Sequence, residues 1–249
     1  GPVPEDLDFC EALFEKECPI PEDTMFEPAR IDEFRSGLFG QSATRLLIDL
    51  HPLLFPGANV QVIRGRRDLA PVIDGYNDVW AKSEEIFGRK PQPSHTRGLR
   101  LSMLNDTQRF KLEIEPGETS LYAATENIFF PYLVGQVRGD LEPLDRADEE
   151  AVHCMSIALR GLVHLARMAG RAESVHRRIL GFSILHDVHT VSIYGFYPVI
   201  EGERTSYCRR LIRQFPLWKE STKWTCYRFV YNIDEDFLPL HTARIVDWL

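Results

Sequence analysis

Gln136 and Arg138 stand two residues apart near the end of the run Phe-Phe-Pro-Tyr-Leu-Val-Gly-Gln-Val-Arg-Gly at residues 129–139. On a β-strand that spacing puts both side chains on one face. Magnesium-dependent phosphodiester cleavage needs two or three carboxylates at the end of a sheet to hold the metal, commonly with a lysine beside them to orient water and steady the phosphorus charge. An acid on one strand facing Glu-x-Lys on its neighbour is the economical arrangement. Here the spacing survives in Gln136-Val137-Arg138, but the carboxylate does not. Gln136 is a neutral amide and a weak magnesium ligand, and Arg138 stays charged near pH 7, so it cannot accept a proton as a lysine-like base would. Upstream, Pro93 is followed by Ser94-His95, again without an acid. The expectation is the frame of a former metal site, with Arg138 left to grip phosphate or carboxylate.

Acids elsewhere offer a fallback. Glu126 precedes this run, Asp140 and Glu142 follow it, and Glu150 lies on the next element. A rebuilt magnesium or manganese site would draw on them, chiefly Glu126 and Glu150; otherwise no cofactor is expected, and the acids read as solvent-facing groups. His186, Asp187 and His189 read as a polar hairpin tip before they read as metal ligands. His153 and His164 read as edge-of-core histidines. No phosphate-binding loop, dinucleotide-binding glycine pattern or serine nucleophile elbow occurs.

These residues need elements to position them. Residues 129–139 read as a buried strand, and 145–169, with Val152, Met155, Leu159, Leu162, Val163 and Ala166 on one side, as a long amphipathic helix stopped by Gly170. Residues 179–185 and 191–197 flank a hairpin turn, and 205–215 supply a third strand of that group. Upstream, residues 95–103 form a plausible first strand and 120–124 an extended segment. A short helix at 7–17, two helices within 31–54, an extended piece at 60–63 and a helix running from an Asp68 cap to Ile86 precede them. Helices at 221–233 and 240–249 close the chain. The order implies an α/β (α+β) fold of three layers around a mixed central sheet with an N-terminal helical extension. It divides into an acidic arm at 1–33, a helical subdomain at 34–90 and a core at 91–249.

The 249 residues carry a net charge of −8, unevenly spread. Residues 1–33 hold eleven acids against Lys16 and Arg30, a local −9 that leaves the rest at +1, while Arg160 to Arg213 spans nine arginines and four acids. Arg138, Arg160, Arg167, Arg177, Arg178, Arg209, Arg210 and Arg213 are accordingly candidate contacts to a polyanion, to be weighed against a merely solvated surface. Five scattered cysteines without a CxxC pair suit reduced thiols in the cytoplasm or nucleus, although Cys10 and Cys18 would pair in a secreted protein. No apolar run is long enough for a membrane span. Gly1-Pro2 has the form of a protease-cleavage remnant, so native targeting information is expected to be trimmed.

Residues 60–65, 91–93, 132–138, 153–155, 179–184 and 223–229, with the distinctive Tyr194-Gly195-Phe196-Tyr197-Pro198-Val199-Ile200, resemble a family of uncharacterised fungal proteins. That family carries the PD-(D/E)XK, restriction-endonuclease-like pattern, and the likeness covers roughly residues 45–249. Where its members have Pro-Asp this chain has Pro93-Ser94, and where they have Glu-Val-Lys it has Gln136-Val137-Arg138. The family's polar pair at the start of the next helix falls on Glu150 and Ala151. The resemblance implies a nuclease-like fold with its metal-binding positions replaced. The expected function is a degenerate domain that binds nucleic acid or a protein partner without cutting. An active nuclease with relocated acids, or a partner-binding or effector protein working through its acidic arm, are the alternatives.

Overall fold

A computed structural model of the protein describes residues 1–139 and 144–249. Asp140 and Glu142 therefore lie outside the described residues. A six-stranded mixed sheet organises the molecule, its strands in spatial order of sequence: β1 Val72–Tyr76, β2 His95–Leu99, β3 Phe129–Val137, β4 Gly181–His186, β5 Thr190–Glu201 and β6 Arg204–Pro216. Every pairing is antiparallel except β3 with β4, which run parallel. A parallel pair needs a crossover, and α7 (Leu144–Met168) supplies it. β3 sits between β2 and β4, and all nine of its residues are buried, which is why its sequence reads as a continuous apolar run.

Helices cover both faces. In the β3–β4 register Leu133 lies opposite Phe182, so Gly135 and Gly181 point to opposite sides. A Cβ at Gly181 would meet Met155 of α7, whereas one at Gly135 would meet His51 and Phe55. His51 opens α4 (His51–Leu54), which follows α1 (Pro4–Glu15), α2 (Ile31–Leu38) and α3 (Ala43–Asp49) and precedes α5 (Ala58–Ile63). After α6 (Asp106–Lys111), which sequence patterning missed, and α7, the chain ends in α8 (Thr225–Asn232) and α9 (Leu238–Trp248), joined by a π-helical turn at Ile233–Phe237. The fold is α+β, with its long helix on one face of the sheet and the short helices around His51 on the other.

Two local expectations are overturned. The segment from Asp68 to Ile86 is not a helix: it forms a 3-10 turn at Arg67–Leu69, then β1, then irregular chain to Trp80. Its apolar spacing misled because Val72 and Ile73 meet β2, while Val79 and Ile86 are exposed. Residues 60–63 are helical, as part of α5, rather than extended. Residues 120–124 contribute only isolated bridges at Ser120 and Ala123.

The acidic N-terminal stretch is draped on the body. Cys10, Leu13 and Phe14 of α1 are buried in the common core, and Phe14 stacks on Phe229 with ring centroids 4.4 Å apart. Asn232 donates its amide to the carbonyls of Leu13 and Lys16, fixing the end of that helix. Phe26 of the same stretch is buried and set edge-on to Trp218 and Trp224. Truncating a buried phenylalanine costs about 3–5 kcal/mol. Phe14→Ala is therefore expected to lower the urea unfolding midpoint of the whole domain in one cooperative transition; an unchanged midpoint would make α1 a separable arm.

Candidate functional site

Ser94, at the entry to β2, and Gln136, near the end of β3, do meet. The Ser94 hydroxyl donates to Gln136 Oε1 at 3.2 Å and accepts from the Val137 backbone N–H at 3.1 Å, and the Ser94 N–H also faces Oε1 at 3.4 Å. Because a backbone N–H can only donate, these bonds fix the amide oxygen toward Ser94 and turn Nε2 the other way. That nitrogen is buried and has no partner among the described residues. Leaving a buried donor unpaired costs about 1–3 kcal/mol.

Gln136 lines a cleft of about 240 Å³ bounded by Arg138, Leu185, Asp187, Tyr194 and, from α7, Asp148. It opens at the carboxyl ends of the parallel strands β3 and β4, where α/β sheets present their ligand sites. Its charges are matched in pairs. Arg138 donates to Asp187, and Arg209 donates through both terminal nitrogens to Asp148 while stacking over the Tyr194 ring at 4.6 Å. Asp187 also accepts from the N–H groups of His189 and Thr190 and from the Thr190 hydroxyl. Burial works to raise its carboxyl, but these N–H donors and Arg138 hold it below the usual carboxylate range.

Beneath the cleft lies a polar cluster that sequence reasoning did not single out. Arg97 of β2 is fully buried, and its guanidinium is satisfied by Asp74 of β1 at 2.7 Å, Asp234 of the π-helical turn at 2.7 Å and the Pro56 carbonyl at 2.6 Å. Tyr132 of β3 donates to Asp234 at 2.9 Å, and Asp74 accepts from the Ala58 N–H and bonds His95 Nε2 at 2.9 Å. Burial opposes charge on Arg97, yet the two carboxylates keep it ionised. Burial would raise Asp74 as well, but Arg97 and His95 drive it far down. Asp234 goes the other way, pushed up to about 6 by burial and by Asp74 against the pull of Arg97, since one guanidinium serves two acids. Next to them His51 Nδ1 bonds His186 Nε2 at 2.9 Å, with His51 stacked on Phe55. Burial lowers all three histidines, His186 to about 4, so they are neutral at pH 7. His186 is thus a core residue at the floor of the cleft rather than part of a solvent-facing tip, whereas His189 is exposed. Of the two histidines of the long helix, His153 is buried against Phe87, and His164 is exposed and bonds the Tyr122 hydroxyl.

The fallback acids lie elsewhere. Glu126 pairs with buried Lys82 at 3.1 Å, and Glu150 accepts from the Gln92 N–H. Among the described residues no group of three or more His, Cys, Asp or Glu side chains is placed to hold a metal. The candidate arginines are not gathered into one open surface. Arg160 binds the Glu84 carbonyl, Arg167 binds Glu203, Arg177 binds the Gly1 carbonyl at 2.5 Å, Arg178 binds Asp6 at 2.6 Å and Arg213 binds Glu11. Arg210 alone of the eight is without a hydrogen-bond or ion-pair partner among the described residues. All five cysteines are free, and no described helix is long and apolar enough to cross a membrane.

Residues 30–249 match the model of a family described as Domain of unknown function (DUF7924). The chain belongs to that family. No curated protein and no solved structure matches it. The DUF7924 match takes in the cleft and the buried cluster and begins after α1, so Glu11 and Asp6, which pair with Arg213 and Arg178, lie outside the family's extent.

Breaking a buried ion network by removing one partner costs about 3–5 kcal/mol. Arg97→Met is expected to destabilise the DUF7924 domain by that much in urea unfolding, and Arg97→Met/Asp234→Asn by less, because the second change removes one of the two stranded acids. The histidines set a pH dependence. Their folded pKa values lie below the unfolded value of about 6.5, so below that pH the unfolded chain takes up protons that the folded chain refuses. Stability is therefore full above pH 6.5 and is lost as pH falls toward about 4, with Asp234 partly offsetting the loss below its own pKa of about 6. Urea midpoints between pH 7.5 and 4.5 check this, and His51→Asn is expected to flatten the slope.

Proposed function

We propose that this domain binds nucleic acid on a nuclease-like frame without cleaving it. The observation that carries the reading is the Ser94–Gln136 hydrogen bond at 3.2 Å. The two positions that a metal-dependent nuclease would fill with carboxylates converge, but they hold each other instead of a cation. The sequence β3, α7, β4 and the β4–β5 hairpin supports the frame, being the strand, helix, strand and hairpin order that a restriction-endonuclease-like core requires. Free thiols throughout accord with an intracellular location, cytoplasmic or nuclear. No metal or cofactor takes part in this reading.

A second reading, an active magnesium- or manganese-dependent nuclease, is favoured by one observation: Asp148 and Asp187 both line the cleft of Gln136. Each already accepts from an arginine, which weighs against it.

Incubation with single- and double-stranded DNA and RNA in magnesium or manganese is expected to give no cleavage. Cleavage abolished by Asp148→Ala or Asp187→Ala, or by Glu126→Ala or Glu150→Ala, would establish the second reading instead. Binding measured across a salt series is expected to show a shallow slope, equivalent to about one or two phosphates, because the arginines are largely committed within the fold. No affinity for any of the four nucleic acids at low salt would point to a protein partner.

A further inference from the structure

We infer that the Gln136 cleft receives a single neutral hydrogen-bonding ring, a nucleobase, with a ring carbonyl or ring nitrogen accepting from Gln136 Nε2. The inference rests on the nucleic-acid reading above and names what the cleft takes from the strand. Its foundation is Gln136 Nε2, a donor that the fold orients and that has no partner among the described residues. Ser94 holds the amide oxygen, and Gln136, only 5% exposed, is among the residues lining the cleft, so a group seated there is the partner we assign to its N–H.

The charge balance decides what that is. Arg138 is matched by Asp187 and Arg209 by Asp148, so the cleft has no surplus positive charge for a phosphate, and the two carboxylates would repel one. A neutral group meets no such cost. The remaining wall offers both kinds of partner: the Ser192 hydroxyl accepts from the Gln214 amide at 2.9 Å and keeps its own hydrogen to donate, while the Gln214 carbonyl can accept. An anion supplies acceptors only, whereas the edge of a base supplies both. Leu185 and the Tyr194 ring provide apolar wall for a flat group. The volume of about 240 Å³ falls below the ~300–1,000 Å³ of sites for drug-sized ligands, which suits one ring system and not a stacked run of nucleotides. The sugar and phosphate would remain outside the cleft.

The test titrates the full chain, uniformly labelled with ¹⁵N, with uridine, cytidine, adenosine, guanosine and inorganic phosphate, and follows the Gln136 side-chain amide resonances. At least one nucleoside is expected to shift them saturably, and inorganic phosphate is not. Gln136→Met, which keeps the shape and removes the donor, is expected to weaken that nucleoside at least tenfold with its unfolding midpoint used to confirm folding. An oligonucleotide is expected to bind at least tenfold more tightly than the same strand with abasic sites. Saturation by phosphate, the absence of any nucleoside shift in the wild-type chain, or equal binding of the abasic strand would each overturn the inference. If the abasic and intact strands bind equally, nucleic-acid binding stands and the base site falls. If nucleosides bind and no oligonucleotide does, the base site stands and polynucleotide binding falls.

Discussion

The Arg97 guanidinium is the point on which the architecture closes. It is buried in the second strand, where an isolated charge would cost many kcal/mol, and it is held by an acid from the first strand, an acid from the C-terminal π-helical turn and a carbonyl from the chain before α5. Those contacts fasten three stretches of sequence to one face of the sheet. The π-helical turn has a physical reason in the same interaction: the extra residue in the helix turns Asp234 toward both Arg97 and Tyr132. Such a network contributes specificity more than net stability, since a hydrophobic replacement of equal shape would avoid its desolvation. What it specifies here is which helices cover the His95 face, and so where His51 lies against His186 below the cleft.

On the opposite face the constraint is looser and more exposed. β3 and β4 are the one parallel pair among the described strands, and residues at their carboxyl ends line a cleft together with Ala147 and Asp148 of α7. Four charged groups border or support it, and all four are spent on one another. That arrangement changes the meaning of the arginine-rich stretch. Arg209 points toward α7 and Arg213 toward α1: four residues apart on a regular strand they would share a face, but the register shift between Leu211 and Arg213 inserts an extra residue and reverses the alternation, so proximity in sequence does not become a single positive surface.

Much of the frame was legible because it rests on local periodicity. The β3 run, the α7 stripe and the β4–β5 hairpin each obey a simple repeat, and placing Gln136 and Arg138 on one side, where both line the cleft, needed only a spacing of two. The stretch from Asp68 to Ile86 failed for a definable reason: five residues of edge strand followed by irregular chain carry too few turns of any period to be told from a helix. Arg97, Asp74, His51 and Asp234 escaped notice because they are drawn together from β1, β2, α4 and the π-helical turn, and no spacing announces such a meeting. Arg97 itself left one signal, a charged residue within a segment that otherwise reads as buried strand. His186 was misplaced by its neighbours, since a polar tetrapeptide reads as a turn even when its first residue is still in the ladder opposite Val191.

The amide at position 136 has a reason in the charge balance of the cleft. A glutamate there would stand in one cleft with Asp148 and Asp187, and it would turn an acceptor toward the space where Gln136 now offers a donor. Like charges so confined either take up a proton or recruit a cation. With glutamine, Ser94 can hold the oxygen, the two acids can stay with their arginines, and the cleft remains neutral without any ion. Glutamine thus leaves an oriented amide donor, without a partner among the described residues, at a cleft whose charges are already matched.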